Sequence, residues 1–288
     1  MNAVTDSSLL QEHSHKTGWK ASLDLRCEAR GGRSVLAHNL HKGPLRVQKA
    51  LYPEGDGVCQ ILMLHPPAGI AGGDELRINV SVASGAHAQL TTPGAGKWYK
   101  SLGPLATQDI VLEVAAGATL EWLPQEVIVF DQARARASTT IRLHEEGCCL
   151  GWDILCLGRQ ASGEDFLSGS FRQKLRLERP DGTPVWQEAM HLAGSDPAMQ
   201  AAASLDGHRV FATFWIAGRH DTAALTEALR TLDIRHGICG VSALPHVTIV
   251  RVLAHSAEHA REYLEAAWTL ARPPLTAREA LRPRIWKT

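Results

Sequence analysis

The sequence has no surplus of charge: 30 Lys and Arg stand against 30 Asp and Glu in 288 residues, a formal net charge of zero with His neutral. Holding nucleic acid or an anionic membrane needs a basic surplus, so both roles are disfavoured. Zero charge also leaves little repulsion between copies, so limited solubility without a partner is expected. Long apolar runs are absent too. The longest, VFATFWIA at 210–217, falls far short of the roughly 18–20 residues of a membrane span. The opening MNAVTDSSLLQEHSHK lacks the apolar core of a secretory signal and reads as a polar tail. The six Cys contain no C-x-x-C pair. Without an export signal, that usage indicates reduced thiols and a cytoplasmic setting. Phe and Tyr are scarce, five and three, against eight Trp; Trp serves cores and partner surfaces alike.

What is present is a two-residue rhythm. Trp19, Ala21, Leu23, Leu25 and Cys27 alternate with polar residues, as on a strand with one buried face. The alternation returns at 76–82, 110–114, 137–143 and near 175–177. No helical period precedes residue 220. VASGAHAQL (82–90), VAAGATLEW (114–122) and HEEGCCLGW (144–152) share a Gly at the fourth place, Gly85, Gly117 and Gly147. Each reads as strand, tight turn, strand, and a period near 30 residues suggests stacked coils. Further on, 209–217 and 247–253 read as strands. Asp221 or Thr222 caps one helix with Leu225, Leu229 and Leu232 on its apolar face. Ser256 caps a second helix, which ARPPL (271–275) is expected to stop near Ala271. The chain therefore divides into a polar tail (1–16), a β-rich body (17–205) and an α/β subregion of the same domain (206–288).

The most distinctive stretch is LHPPAGIAGGDEL (64–76), a Pro- and Gly-rich turn that places Asp74 at its exit. It matches neither nucleotide-binding glycine pattern, and a strand follows where a phosphate-binding helix would begin. TTPGAGKWYKS (91–101) sets Lys97, Trp98, Tyr99 and Lys100 after another turn, a cationic and aromatic cluster suited to a partner or to a buried turn. His255 and His259 have helical ligand spacing, but with Ser256 as cap His255 falls outside the helix. Cys148 and Cys149 point to opposite faces of a strand. No preformed metal site and no nucleophile elbow is visible. Asp74, Asp153, Glu164 and Glu188 are carboxylates beside apolar or aromatic residues. Paired carboxylates allow acid/base work, so a β-solenoid hydrolase is the alternative reading.

Several motifs together resemble the urease accessory protein UreD family, called UreH in some systems. They are GPLRVQ (43–48), LYPEG (51–55), the two glycine-rich stretches above, LEWLPQE (120–126), GWDILCLGR (151–159), SGEDF (162–166) and PRIW (283–286). The resemblance runs from about Trp19 to Thr288. It implies a mainly β fold, two stacked sheet layers in a solenoid-like helical winding with two α-helices in the C-terminal third. It also implies a non-enzymatic maturation factor that joins UreF and the GTPase UreG, docks on apo-urease and assists nickel delivery to its dinuclear site. A dimer of that accessory complex is compatible with it. No cofactor would be tightly bound, and nickel(II) would be in transit. Asp74, Asp153, Glu164 and Glu188 are then candidates for the nickel path, because weak oxygen ligands pass a cation on where a Cys cage would trap it. Lys97, Trp98, Tyr99 and an exposed Trp286 are candidates for partner contacts or structural turns. Gly96 departs from relatives that carry a small hydroxyl residue there.

Overall fold

The computed structural model describes residues 18–287; the N-terminal tail with His13 and His15 lies outside the described residues. The chain opens with β1 (Lys20–Arg30), β2 (Arg33–Lys42), β3 (Arg46–Val47), β4 (Cys59–Leu64), β5 (Glu75–Val82) and β6 (His87–Thr91). It continues through β7 (Gly96–Trp98), β8 (Ala106–Val114), β9 (Thr119–Trp122), β10 (Val127–Val129), β11 (Arg134–Leu143) and β12 (Cys148–Leu157). Then come β13 (Ser170–Glu178), β14 (Pro184–Ala193), β15 (Val210–Ala217), α1 (Thr222–Arg230), β16 (Gly237–Leu244), β17 (Val247–Ala254) and α2 (Ala257–Thr276). As expected, the fold is mainly β, with two stacked sheets and two helices late in the chain.

The first sheet has seven strands in the order β14-β13-β11-β8-β5-β1-β2, and the second runs β16-β17-β15-β12-β9-β6-β4-β3. In the middle, three coils stack in parallel: β5, β8 and β11 on one side, β6, β9 and β12 on the other. Each coil crosses between sheets at a tight turn closed by Ala86 N–H to Ala83, Ala118 N–H to Ala115 and Gly147 N–H to His144. At the first two turns Gly85 and Gly117 take positive φ (74° and 67°), which only Gly adopts freely.

The third coil is one residue out of step with the sequence repeat. By its turn hydrogen bond, Gly147 occupies the place of Ala86 and Ala118, and Glu146 that of the turn glycines. The register accordingly runs Leu90, Trp122, Gly151, so Trp152 is not the equivalent of Trp122. A one-residue slip reverses the face of a strand. Trp122 packs between the sheets, whereas Trp152 packs under the helices. Gly151 leaves room for the Trp215 ring, which a Cβ would meet at 2.5 Å.

The core thus has two storeys. Between the sheets lie Leu23, Ile61, Leu90, Leu112 and Trp215; between the second sheet and the helices lie Trp152, Phe214, Leu264 and Trp268. Among the described residues no helix packs on the outer face of the first sheet, which is why its strands alternate so clearly. Two readings need correction. Trp19 stands before β1 and is 58% exposed, not on its buried face. The last third also contains β16, so α1 and β17 are separated by an extra edge strand whose glycines and small residues gave no period.

Asp221 caps α1 by accepting from Ala224 N–H at 3.0 Å, and Ser256 caps α2 by accepting from Glu258 N–H at 3.1 Å. The second helix does not stop at Ala271. It runs to Thr276 through Pro273 and Pro274. A proline inside a helix costs about 3 kcal/mol. Here the last turn is pinned from outside, because Arg272 is fully buried and ion-paired to Glu121 and Glu54.

Candidate functional site

Three loops that follow β4, β6 and β9 gather at one end of the space between the sheets. They enclose a cavity of about 380 Å³ bordered by His65, Lys97, Trp98, Gln108, Trp122, Gln125 and Asp153. The glycines of the PPAGIAGG stretch are there for fit. A Cβ on Gly69 would lie 2.4 Å from the Tyr99 ring, and one on Gly72 would lie 2.3 Å from the Ser101 hydroxyl. The two glycine-rich loops recognised in the sequence therefore pack against each other.

Asp153 is placed by the alternation of β12, whose inward residues include Cys149, Leu155 and Leu157. It opens onto the cavity yet lies deep between the sheets, with Gln173 Nε2 at 3.4 Å from Oδ2. Burial pushes its pKa up to about 7; the Trp122 indole pulls it down, and the nearby charge of Glu188 adds to the rise. Glu188 comes from β14 of the opposite sheet. It accepts from Thr213 Oγ1 at 3.1 Å and from Arg251 Nε at 2.7 Å. Thr213 is the register partner of both Asp153 and Arg251. A polar row thus crosses the second sheet and meets the Glu188 carboxylate. A buried acid that titrates near neutrality can exchange a proton for a cation.

His65 also borders the cavity. Burial lowers its pKa, with the Asp74 charge opposing, which favours the neutral imidazole that metals accept. Among the described residues, no three His, Cys, Asp or Glu side chains come together as a metal cage.

The four carboxylates singled out from the sequence fall into different settings. Asp153 and Glu188 are brought together. Asp74 is a buried turn cap: Oδ1 accepts from Trp19 N–H at 2.7 Å and Oδ2 from Ala71 N–H at 2.8 Å. Glu164 is clamped by Arg159 at 2.6 and 2.9 Å, and that guanidinium holds its pKa below the ordinary value. Neither borders the cavity. Lys97 and Trp98 do; the Trp98 ring is buried against Phe171, and Tyr99 packs edge-on to Phe130 at 5.2 Å. Trp286 is buried rather than exposed. Its indole N–H donates to Thr91 Oγ1 at 2.7 Å, and its ring packs on Trp152 and Trp268.

A second polar assembly escaped the sequence reading. Glu121, on the outer face of β9, accepts from His87, Trp268 and Arg272 beneath α2. Burial alone would raise its pKa; His87 and Arg272 outweigh that and hold it at about 2. The one available signal was a Glu between Leu120 and Trp122 in a strand too apolar to have a wet face.

The profile of the family described as UreD urease accessory protein matches residues 20–287. The chain belongs to the UreD family. It is 49% identical to a urease accessory protein UreD of Dechloromonas aromatica strain RCB, over 99% of this chain and all of that one. It is 44% identical to that of Azoarcus sp. strain BH72 over the whole of both chains, and 48% identical to that of Pseudomonas fluorescens strain Pf-5 over 94% and 95%. Membership confirms the resemblance carried by the motifs.

Proposed function

We propose that this chain is a non-enzymatic urease maturation factor, a scaffold between the UreF–UreG GTPase complex and apo-urease that assists nickel delivery. Family membership supports the maturation role. The observation that carries the nickel reading is the cavity between the sheets with Asp153 at its edge and Glu188 beyond it. A divalent cation entering past neutral His65 would displace the Asp153 proton and gain a carboxylate oxygen. Among the described residues too few donors converge to hold it, so it would move on rather than be stored. Asp74 and Glu164, committed to backbone and Arg159, would keep the surrounding loops in shape instead of carrying the cation. The zero net charge fits a subunit that works inside a complex with UreF, UreG and apo-urease in the cytoplasm.

The test is urease activation in cells at limiting nickel with Asp153→Asn, alongside co-purification with tagged UreF and apo-urease. Reduced activation with intact co-purification supports passage through this subunit. Full activation by Asp153→Asn removes the nickel path, and failure of the unmodified chain to co-purify with either partner removes the scaffold.

A further inference from the structure

The outer face of the first sheet is a lattice of charges, and most are paired with one another. Lys20 meets Glu75 at 3.4 Å, Arg26 meets Glu28 at 3.1 Å, and Arg142 bridges Glu113 and Glu178 at 2.9 and 3.1 Å. The pairing fails toward the β14 edge. Arg134, Arg172 and Lys174 are exposed on this face, and none has a carboxylate within 4.0 Å among the described residues. Arg172 lies between Arg136 and His191 in the strand register, and Arg136 keeps only a 3.5 Å contact with Asp109. Arg134, Arg172 and Lys174 thus make one group of exposed cations without a carboxylate partner on a flat sheet face, in a chain whose net charge is zero.

We propose that this patch is a docking surface for an acidic face of a protein partner. Neighbouring strands stand about 4.8 Å apart and alternate residues about 6.8 Å, so the cations form a grid at that spacing. Carboxylates at i, i+4 on a helix, about 5–6 Å apart, or at alternate positions of a strand match it. Unpaired exposed cations steer such a partner and fix its register without a desolvated ion pair inside this chain. A nucleic-acid backbone fits less well. It needs a longer basic track to follow, whereas Asp109, Glu113 and Glu178 end the run of unpaired cations after a few residues.

The full chain is titrated with poly-L-glutamate, duplex DNA and phosphatidylserine vesicles at ~50 mM and ~300 mM salt, where screening lengths differ about twofold or more. Polyglutamate should bind at low salt, weaken at high salt, and lose about tenfold or more in affinity with R172E/K174E. Lys20→Glu, on the paired side of the same face, should bind as the unmodified chain does. All three side chains are exposed, and circular dichroism with R172Q/K174Q as a milder variant confirms that loss is not unfolding. Unchanged binding by R172E/K174E, no binding by the unmodified chain, or tighter binding to DNA or vesicles than to polyglutamate overturns the proposal. The assay contains neither nickel nor urease, so its outcome is separate from that of the nickel path.

Discussion

Glu121 in β9 and Arg272 in α2 are 151 positions apart, yet they form an ion pair at 3.0 Å in which both side chains are 0% exposed. The pair ties the last turn of α2, with its two prolines, to the centre of the second sheet. Trp268 and His87 use further lone pairs of the same carboxylate, and Glu54 takes another guanidinium hydrogen.

Removing one partner leaves the other charge buried and alone, which typically costs ~3–5 kcal/mol. Arg272→Met should therefore lower stability by about that amount in urea unfolding, and E121Q/R272M should recover part of it. A double variant no better than the single would mean that the pair does not set the cost. Acid should act on the same group. The Glu121 pKa is about 2 in the folded chain against an ordinary 4.5, so its contribution is present above pH ~4.5 and is lost as pH falls through about 2. Unfolding between those values should steepen in the native chain and flatten in Glu121→Gln, with a difference on the order of 3 kcal/mol.

Asp153 should behave in the opposite sense. Its folded pKa is raised from 3.8 to about 7, so the folded state binds the proton more tightly than the unfolded chain. That stabilisation is fully present below pH ~4 and disappears as pH rises through about 7. Asp153→Asn carries no such titration. It should be more stable than the native chain at pH 8, by on the order of 4 kcal/mol, and lose that advantage toward pH 4. Parallel melting curves across this range would show that the carboxylate is not held protonated between the sheets.

The one-face-buried strands were legible because no described helix covers the outer face of the first sheet: β1, β5, β8 and β11 alternate as a period of two requires. The second sheet is covered on both faces, so β15 reads as an unbroken apolar run and its buried polar residues have no periodic signal. The third coil was misaligned by one place because Glu146, not Gly147, fills the turn position. Motif matching reached Asp153 and Glu188 but could not separate them from Asp74 and Glu164, since pairing between opposite sheets is a property of the winding. Glu121 and Arg272 meet only through the docking of α2, and no local pattern encodes that.

The glycine at position 69 offers a test of the loop packing around the cavity. A Cβ there would stand 2.4 Å from the Tyr99 ring, itself held edge-on by Phe130. Gly69→Ala should destabilise by about 1–3 kcal/mol, the usual cost of overpacking. In a Tyr99→Ala background the clash is gone, so the same substitution should cost far less. A double-mutant cycle with an interaction energy near zero would show that Gly69 is needed for a reason other than the ring.

Trp286 closes the second storey of the core from the last turn of the described chain, only 8% exposed and hydrogen-bonded to Thr91 at 2.7 Å. Its ring packs on Trp152 of β12 and Trp268 of α2. Trp286→Ala should cost ~3–5 kcal/mol by loss of buried area and the cavity left behind. Trp286→Phe keeps most of the area and orphans the Thr91 hydroxyl, a loss nearer ~1–3 kcal/mol. Thr91→Val should then cost little in the Phe background and more in the native one. If Trp286→Ala instead leaves urea unfolding unchanged and only weakens co-purification with UreF or apo-urease, the indole serves a partner and not the core.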